Sequence, residues 1–127
     1  MSKFELILDS DRRLLTVVMR GFWDARVYHD YDVQLSAQLL RLRQLKGSQA
    51  CLVDARDFAV QPRDVADLLR DGIAKRLHLY PERTVRLVSC ALSRSQAARM
   101  TNSGAHRVYD SMDEALGWLL EQRSVAA

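Results

Sequence analysis

The segment Trp23-Asp24-Ala25-Arg26-Val27-Tyr28-His29-Asp30-Tyr31-Asp32 gathers aromatic rings, a histidine and several carboxylates into one short stretch. Rings and polar groups of this kind line small-molecule pockets, and His29 beside Asp30 has the residue types of an acid–base pair. Adjacent residues on a helix diverge by roughly 100°, so this spacing does not bring His29 and Asp30 face to face. Tyr28 and Tyr31 fall on an apolar helical stripe, which leaves His29 toward solvent and gives the segment a structural reading beside the chemical one. A second collection holds Asp54, Arg56, Asp57, Gln61, Arg63 and Asp64. Such charges could hold a polar ligand or a docking partner; equally, Asp54 and Asp57 satisfy loop amides while the arginines pair on the surface. The candidate partner- or ligand-binding residues are therefore Trp23, Tyr28, His29, Asp54, Arg56, Asp57, Gln61, Arg63 and Asp64, and none is given a catalytic role.

Other chemistries find little support. His29, His78 and His106 are scattered and neither Cys51 nor Cys90 sits in a Cys-x-x-Cys pair, so no metal is expected. A nucleophile elbow, a P-loop and a Gly-x-Gly-x-x-Gly fingerprint are missing, so no cofactor is expected. The densest basic cluster, Arg41-Leu42-Arg43-Gln44-Leu45-Lys46, lacks interleaved aromatics and lies at a helix C-terminus, where the dipole stabilises bases unaided; nucleic acid is not an expected partner.

These residues need a scaffold, and 127 residues with 48% hydrophobic content supply one domain with one core. The formal charge of +3 comes from 19 basic and 16 acidic residues, and only Lys3, Lys46 and Lys75 are lysines. Met1-Ser2-Lys3-Phe4-Glu5-Leu6 lacks an apolar h-region with a cleavage site, and no run approaches the length of a membrane span; a cytoplasmic protein is expected. Cys51 and Cys90 read as buried thiols of a reducing compartment.

The elements follow from periodicity. Phe4 to Leu8 alternates as a strand, Asp9-Ser10-Asp11-Arg12 turns the chain, and Leu14 to Arg20 forms a second strand, apolar on both faces and expected to be covered on both. Asp24 is an N-cap; Val27, Tyr28, Tyr31, Leu35, Leu39, Leu42 and Leu45 recur at helical steps until Gly47. The apolar run 49–54 reads as a buried central strand, parallel to the second because a helix joins them. Asp54 to Phe58 leads out of it as a loop, and Pro62 marks the first turn of a helix with Val65, Leu68, Leu69 and Ile73 on its stripe, reaching to about Leu79. Thr84 to Cys90 is a further parallel strand. Ser93 with Gln96 is a capping box and Gly104 a C-cap for a short helix; His106 to Tyr109 is a brief strand. Ser111 with Glu114 opens a last helix carrying Ala115, Leu116, Leu119 and Leu120, with fraying expected from Gln122. The fold class is α/β, a single-domain mixed sheet in the order ββαβαβαβα.

The early hairpin, Leu52-Val53-Asp54 leading toward a helix, and the run Arg107-Val108-Tyr109-Asp110-Ser111-Met112-Asp113-Glu114-Ala115-Leu116-Gly117-Trp118-Leu119 resemble the bacterial SpoIIAA-like, or STAS-like (STAS/SEC14), domains. The resemblance covers nearly the whole chain in element order. It implies a compact cytoplasmic domain that acts through binding, with the anti-anti-sigma factors as its best-understood relatives. Those proteins carry an Asp-Ser-type phosphorylation switch at the start of the helix after the central strand, where phosphate gains from the helix N-terminus yet blocks a partner. Here that region reads Ala59-Val60-Gln61-Pro62-Arg63-Asp64, and no Ser or Thr occurs between Ser48 and Thr84. The expected function is a non-enzymatic interaction module without that switch, docking a protein partner or a second copy of itself through the Pro62–Leu79 helix and the loops at the carboxyl ends of the strands. The alternative is a carrier of a small apolar molecule or lipid, with its pocket between Trp23–Tyr31 and Asp54–Pro62. An enzyme would require His29 or Asp54 in a convergent site.

Overall fold

Phe4, Leu6 and Leu8 alternate with polar or exposed neighbours along the first strand, and the computed structural model, which describes residues 2–89 and 107–126, turns that face toward the helices. The order is β1 (Phe4–Asp9), β2 (Leu14–Gly21), α1 (Ala25–Arg43), β3 (Ala50–Phe58), α2 (Arg63–Lys75), β4 (Arg83–Leu87), β5 (Arg107–Tyr109) and α3 (Met112–Ala126). One sheet holds the strands in the order β1-β2-β3-β4-β5. β1 runs antiparallel to β2, and every other neighbouring pair is parallel. The short turn after Asp9 allows only the hairpin, whereas each described helix between β2 and β4 returns the chain for a parallel strand.

The sheet separates two apolar clusters. On one face Leu15, Val17, Met19, Cys51 and Val53 meet Tyr28, Tyr31, Leu35, Leu39 and Leu42 of α1 and Val65 and Leu69 of α2. On the other, Ala50, Leu52, Val85 and Leu87 meet Ala115 and Leu119 of α3. Asp24 caps α1, its carboxylate accepting from the Val27 amide at 2.9 Å. The Ser111 hydroxyl accepts from the Glu114 amide at 3.4 Å at the head of α3.

Several boundaries depart from the sequence reading. β3 continues through Phe58, so Asp54 to Asp57 lie in the strand and not in a loop; Asp57 and Phe58 pair with Arg20 and Gly21 past a register shift at which β3 holds one residue more than β2. β2 is fully buried on one face only, because α3 covers β3 and β4 and leaves Leu14, Thr16 and Val18 half-buried. α2 ends at Lys75, with a turn holding Leu79 where the helix was expected to continue. β4 ends at Leu87, and α3 stays helical to Ala126 instead of fraying from Gln122. The Ser93–Gln96 capping box, the Gly104 C-cap, Cys90 and His106 lie outside the described residues.

Helix α2 lies against α1 at Gly72, where a Cβ would overlap the Tyr28 hydroxyl oxygen and lie 3.1 Å from an Arg76 guanidinium nitrogen. Ordinarily Gly→Ala within a helix gains up to about 1 kcal/mol. Here Gly72→Ala is expected to lose ~1–3 kcal/mol by overpacking. Urea denaturation checks this, and the loss should shrink in a Tyr28→Phe background, which removes the atom the new methyl meets.

Candidate functional site

The carboxyl ends of β2 and β3 are tied together by one side chain. Gln61 is buried, and its carboxamide oxygen accepts from the Trp23 amide at 2.8 Å. Its nitrogen donates to the Gly21 carbonyl at 2.8 Å and the Ala59 carbonyl at 2.7 Å. Buried backbone groups at strand ends must find partners, and this carboxamide satisfies groups from both loops. Trp23 turns inward, donating from Nε1 to the Arg20 carbonyl at 3.0 Å. Its ring centroid lies 4.8 Å from Tyr31, 4.9 Å from Phe58 and 5.9 Å from Phe4. The space between the Trp23–Tyr31 segment and the start of α2 is thus occupied by the protein's own rings. An open groove lies at the opposite end of the sheet, lined by Ser48, Gln49, Pro81, Glu82 and Arg83.

Outside this staple the same loops present apolar surface. Phe22 is 65% exposed and Val60 43% exposed, and they flank the backbone hydrogen bond from the Ala59 amide to the Gly21 carbonyl. Arg26, Asp57, Arg63 and Asp64, which lie within four residues of Phe22 or Val60 in the chain, are exposed as well. Pro62 stands at the N-cap of α2, and among the described residues no side chain caps that helix.

The remaining candidates do not converge. Val53 and Ala55 face α1, so Asp54 and Arg56 project from the opposite face, where Asp54 pairs in register with Val18. Arg56 grips Asp54 in a bidentate contact, Nε to Oδ1 and Nη2 to Oδ2, both at 2.9 Å, with the Arg56 amide adding a bond of 3.2 Å. The guanidinium hydrogen bonds hold the Asp54 carboxyl below its usual range, against a smaller opposing effect of burial. His29 is exposed on α1, edge-on to Tyr28 at 5.5 Å, and the sheet stands between it and Asp54. Tyr28 and Tyr31 occupy the α1 core stripe as the periodicity predicts.

A buried polar cluster, of which only Tyr28 is among the candidates the sequence offers, joins α1 to α2. Arg76, just past α2, forms an ion pair with Asp32 of α1; their side chains are 4% and 29% exposed. Its guanidinium also reaches the Tyr28 and Tyr80 hydroxyls and lies 5.9 Å from the centre of the Tyr31 ring. Burial pushes the Tyr28 phenol above its ordinary value, with Arg76 pulling the other way. The sequence did carry a signal: Arg76 continues the stripe Val65, Leu69, Gly72 at helical spacing, so its position is a core position. Chemically the cluster is a lock, since the Arg76 Nη1 already faces Asp32 of the same chain, while among the described residues its buried Nε has no partner. Arg86 of β4 lies near Tyr31 and Cys51, and among the described residues its buried Nε has no partner. Burial pushes the Cys51 thiol up to about 12, with Arg86 opposing.

No family model matches the sequence, and no curated protein matches it significantly. Among solved structures the chain is similar to an uncharacterised protein of the DUF3478 family with a SpoIIAA-like fold from Shewanella loihica PV-4, with a TM-score of 0.66, 18% identity and 91% of each chain covered. That likeness shows the fold: a mixed α/β domain of the SpoIIAA-like, STAS-like kind. Among the described residues, no helix is long and apolar enough to cross a membrane.

Two measurements check these environments. A carboxyl NMR titration is expected to place the Asp54 midpoint below the usual aspartate value and to raise it in Arg56→Gln. Because the folded value is the lower one, the contact's contribution to stability is present at neutral pH and is lost as pH falls through that midpoint. In a Cys90→Ser background, Cys51 should resist an aromatic disulfide reagent at about pH 8 and react on unfolding, as a thiol that is buried and protonated does.

Proposed function

We propose that this chain is a non-enzymatic protein-binding module of the bacterial cytoplasm, docking its partner at the carboxyl ends of β2 and β3 and the first turn of α2. The observation that carries the reading is the pair Phe22 and Val60, held outward on loops that Gln61 and Trp23 make rigid. Exposed apolar side chains on a preorganised base are what binding hot spots require, since little ordering entropy remains to be lost. Arg26, Asp57, Arg63 and Asp64 form a charged rim of both signs, which suits a partner presenting an apolar side chain ringed by charge. A peptide surface has that chemistry. Regulation by a serine phosphate in the manner of the anti-anti-sigma factors is not part of the reading, because Pro62 and Arg63 stand where the hydroxyl would be needed.

The carrier reading is weaker at its expected place. Trp23, Tyr31, Phe58 and Phe4 fill the volume that an apolar ligand between the two segments would take. An acid–base site built from His29 and Asp54 is likewise disfavoured by the sheet between them.

A photo-crosslinking amino acid in place of Phe22, introduced in the native host, is expected to capture one defined protein. Arg63→Glu combined with Asp64→Lys, and separately Phe22→Ser, should each weaken binding of that protein about tenfold, the effect of losing about 1.4 kcal/mol of interface contact. The melting temperature should stay nearly constant, because all three residues are exposed. Unchanged affinity in both variants would place the interface elsewhere. A small-molecule adduct in native mass spectra, lost on denaturation, would favour the carrier instead.

A further inference from the structure

The edge of the sheet formed by β1 carries its own information, independent of the docking end. The Arg20 amide donates to the Lys3 carbonyl at 2.8 Å, and Phe4 stands opposite Met19. In an antiparallel pair, hydrogen-bonded residues alternate with residues whose backbone groups point away. Lys3, Glu5, Ile7 and Asp9 therefore bond toward β2, and the amides and carbonyls of Phe4, Leu6 and Leu8 point outward. Among the described residues nothing pairs with that edge. The side chains divide the opposite way round: Phe4, Leu6 and Leu8 pack beneath α1, while Glu5, Ile7 and Asp9 lie on the face that α3 leaves open, with Lys3 continuing their alternation.

We propose that the chain forms a two-fold homodimer by antiparallel pairing of β1 with β1 of a second copy, in the register that sets Leu6 opposite its own symmetry mate. This register matches every outward residue: Leu6 with Leu6, and Phe4 with Leu8 in both directions. It also sets Lys3 opposite Asp9 and Glu5 opposite Ile7, so each directly opposed charge pair is attractive and no like charges stand directly opposite each other. Shifting by two residues one way opposes Glu5 to Asp9; shifting the other way opposes Glu5 to itself. A one-residue shift turns the open faces to opposite sides and sets outward backbone groups against inward ones. Exposed edges are usually blunted with charge to prevent pairing. Here the charges favour a single register and oppose its neighbours. The two-fold axis runs perpendicular to the sheet, so the same patch serves both copies and the assembly closes as a dimer. Ile7, 53% exposed in the single chain, gains a neighbour across the axis.

Sedimentation equilibrium and amide hydrogen exchange on the purified chain test this together. At roughly 100 μM, where a micromolar Kd gives mostly dimer, the mass should be that of two chains. The amides of Phe4, Leu6 and Leu8 should exchange fast when dilute and slowly when concentrated, while those of Glu5 and Ile7 stay protected at both. Lys3→Asp, which sets aspartates opposite each other, should raise the Kd roughly tenfold. Adding Asp9→Lys should restore dimerisation by reversing the pair. Asp9 also accepts from the Arg12 amide at 3.1 Å, so circular dichroism and a melting curve accompany that variant. Ile7→Glu, an exposed change that opposes two glutamates, tests the register without touching the turn. A monomer at this concentration overturns the proposal, as does a dimer whose Phe4, Leu6 and Leu8 amides exchange at the monomer rate.

Discussion

The Gln61 carboxamide is the contact on which the proposed docking end depends. Two chain segments leave the sheet side by side at Gly21 and Phe58, each with backbone groups that no strand pairs. One buried side chain satisfies groups from both, and Trp23 closes the space beneath them with rings from β1, α1 and β3. Removing the carboxamide would orphan buried donors and acceptors together, which costs more than the net value of the bonds themselves. The exposed positions of Phe22 and Val60 follow from that closure. With Trp23 turned in and Gln61 turned down, the residues beside them have only the solvent side left.

The Arg76 cluster does the same for the helical layer. A guanidinium at 4% exposure needs acceptors, and Asp32, Tyr28 and Tyr80 face its terminal nitrogens from α1 and from the chain after α2, leaving its Nε without a partner among the described residues. Gly72 lets Tyr28 come close enough to take part. This makes the α1–α2 contact specific in a way that leucine packing alone would not, because sliding either helix by one residue would separate Arg76 from Asp32. The first turn of α2 is consequently held in place by contacts at its far end, and a docking surface there requires little rearrangement.

The layers were legible in the sequence because hydrophobic period reports burial directly: the α1 stripe, the central strand and the last helix all follow from it. The site was only half legible. Asp54 to Asp57 looked like a loop because charged residues interrupt an apolar run, yet one face of β3 is open past α3 and accepts charge within a strand. Trp23, Tyr28 and Gln61 have residue types suited to chemistry and serve as the frame, since side chains able to do chemistry are equally able to satisfy backbone groups. Arg76 is hidden in the sequence for the converse reason: a cation on a core stripe looks like surface until its partner, distant in sequence, is in place. Phe22 and Val60 carry no pattern at all. Their exposure is set by the residues beside them, which is a tertiary property.

The two proposed surfaces lie on different borders of the sheet and have a joint geometry. An axis perpendicular to the sheet at β1 reverses strand direction from one copy to the other. The carboxyl ends of β2 and β3 would then point opposite ways, with Phe22 and Val60 of the two copies at opposite ends of one continuous ten-stranded sheet. Neither surface would obstruct the other. A partner bound at one end could not reach the second without spanning the dimer, so pairing through β1 would join two separate partners instead of raising the affinity for one. Pairing through the docking end would have the opposite consequence, since each copy would then occupy the other's Phe22 and Val60. Which border carries self-association therefore decides whether the dimer presents the docking ends or conceals them.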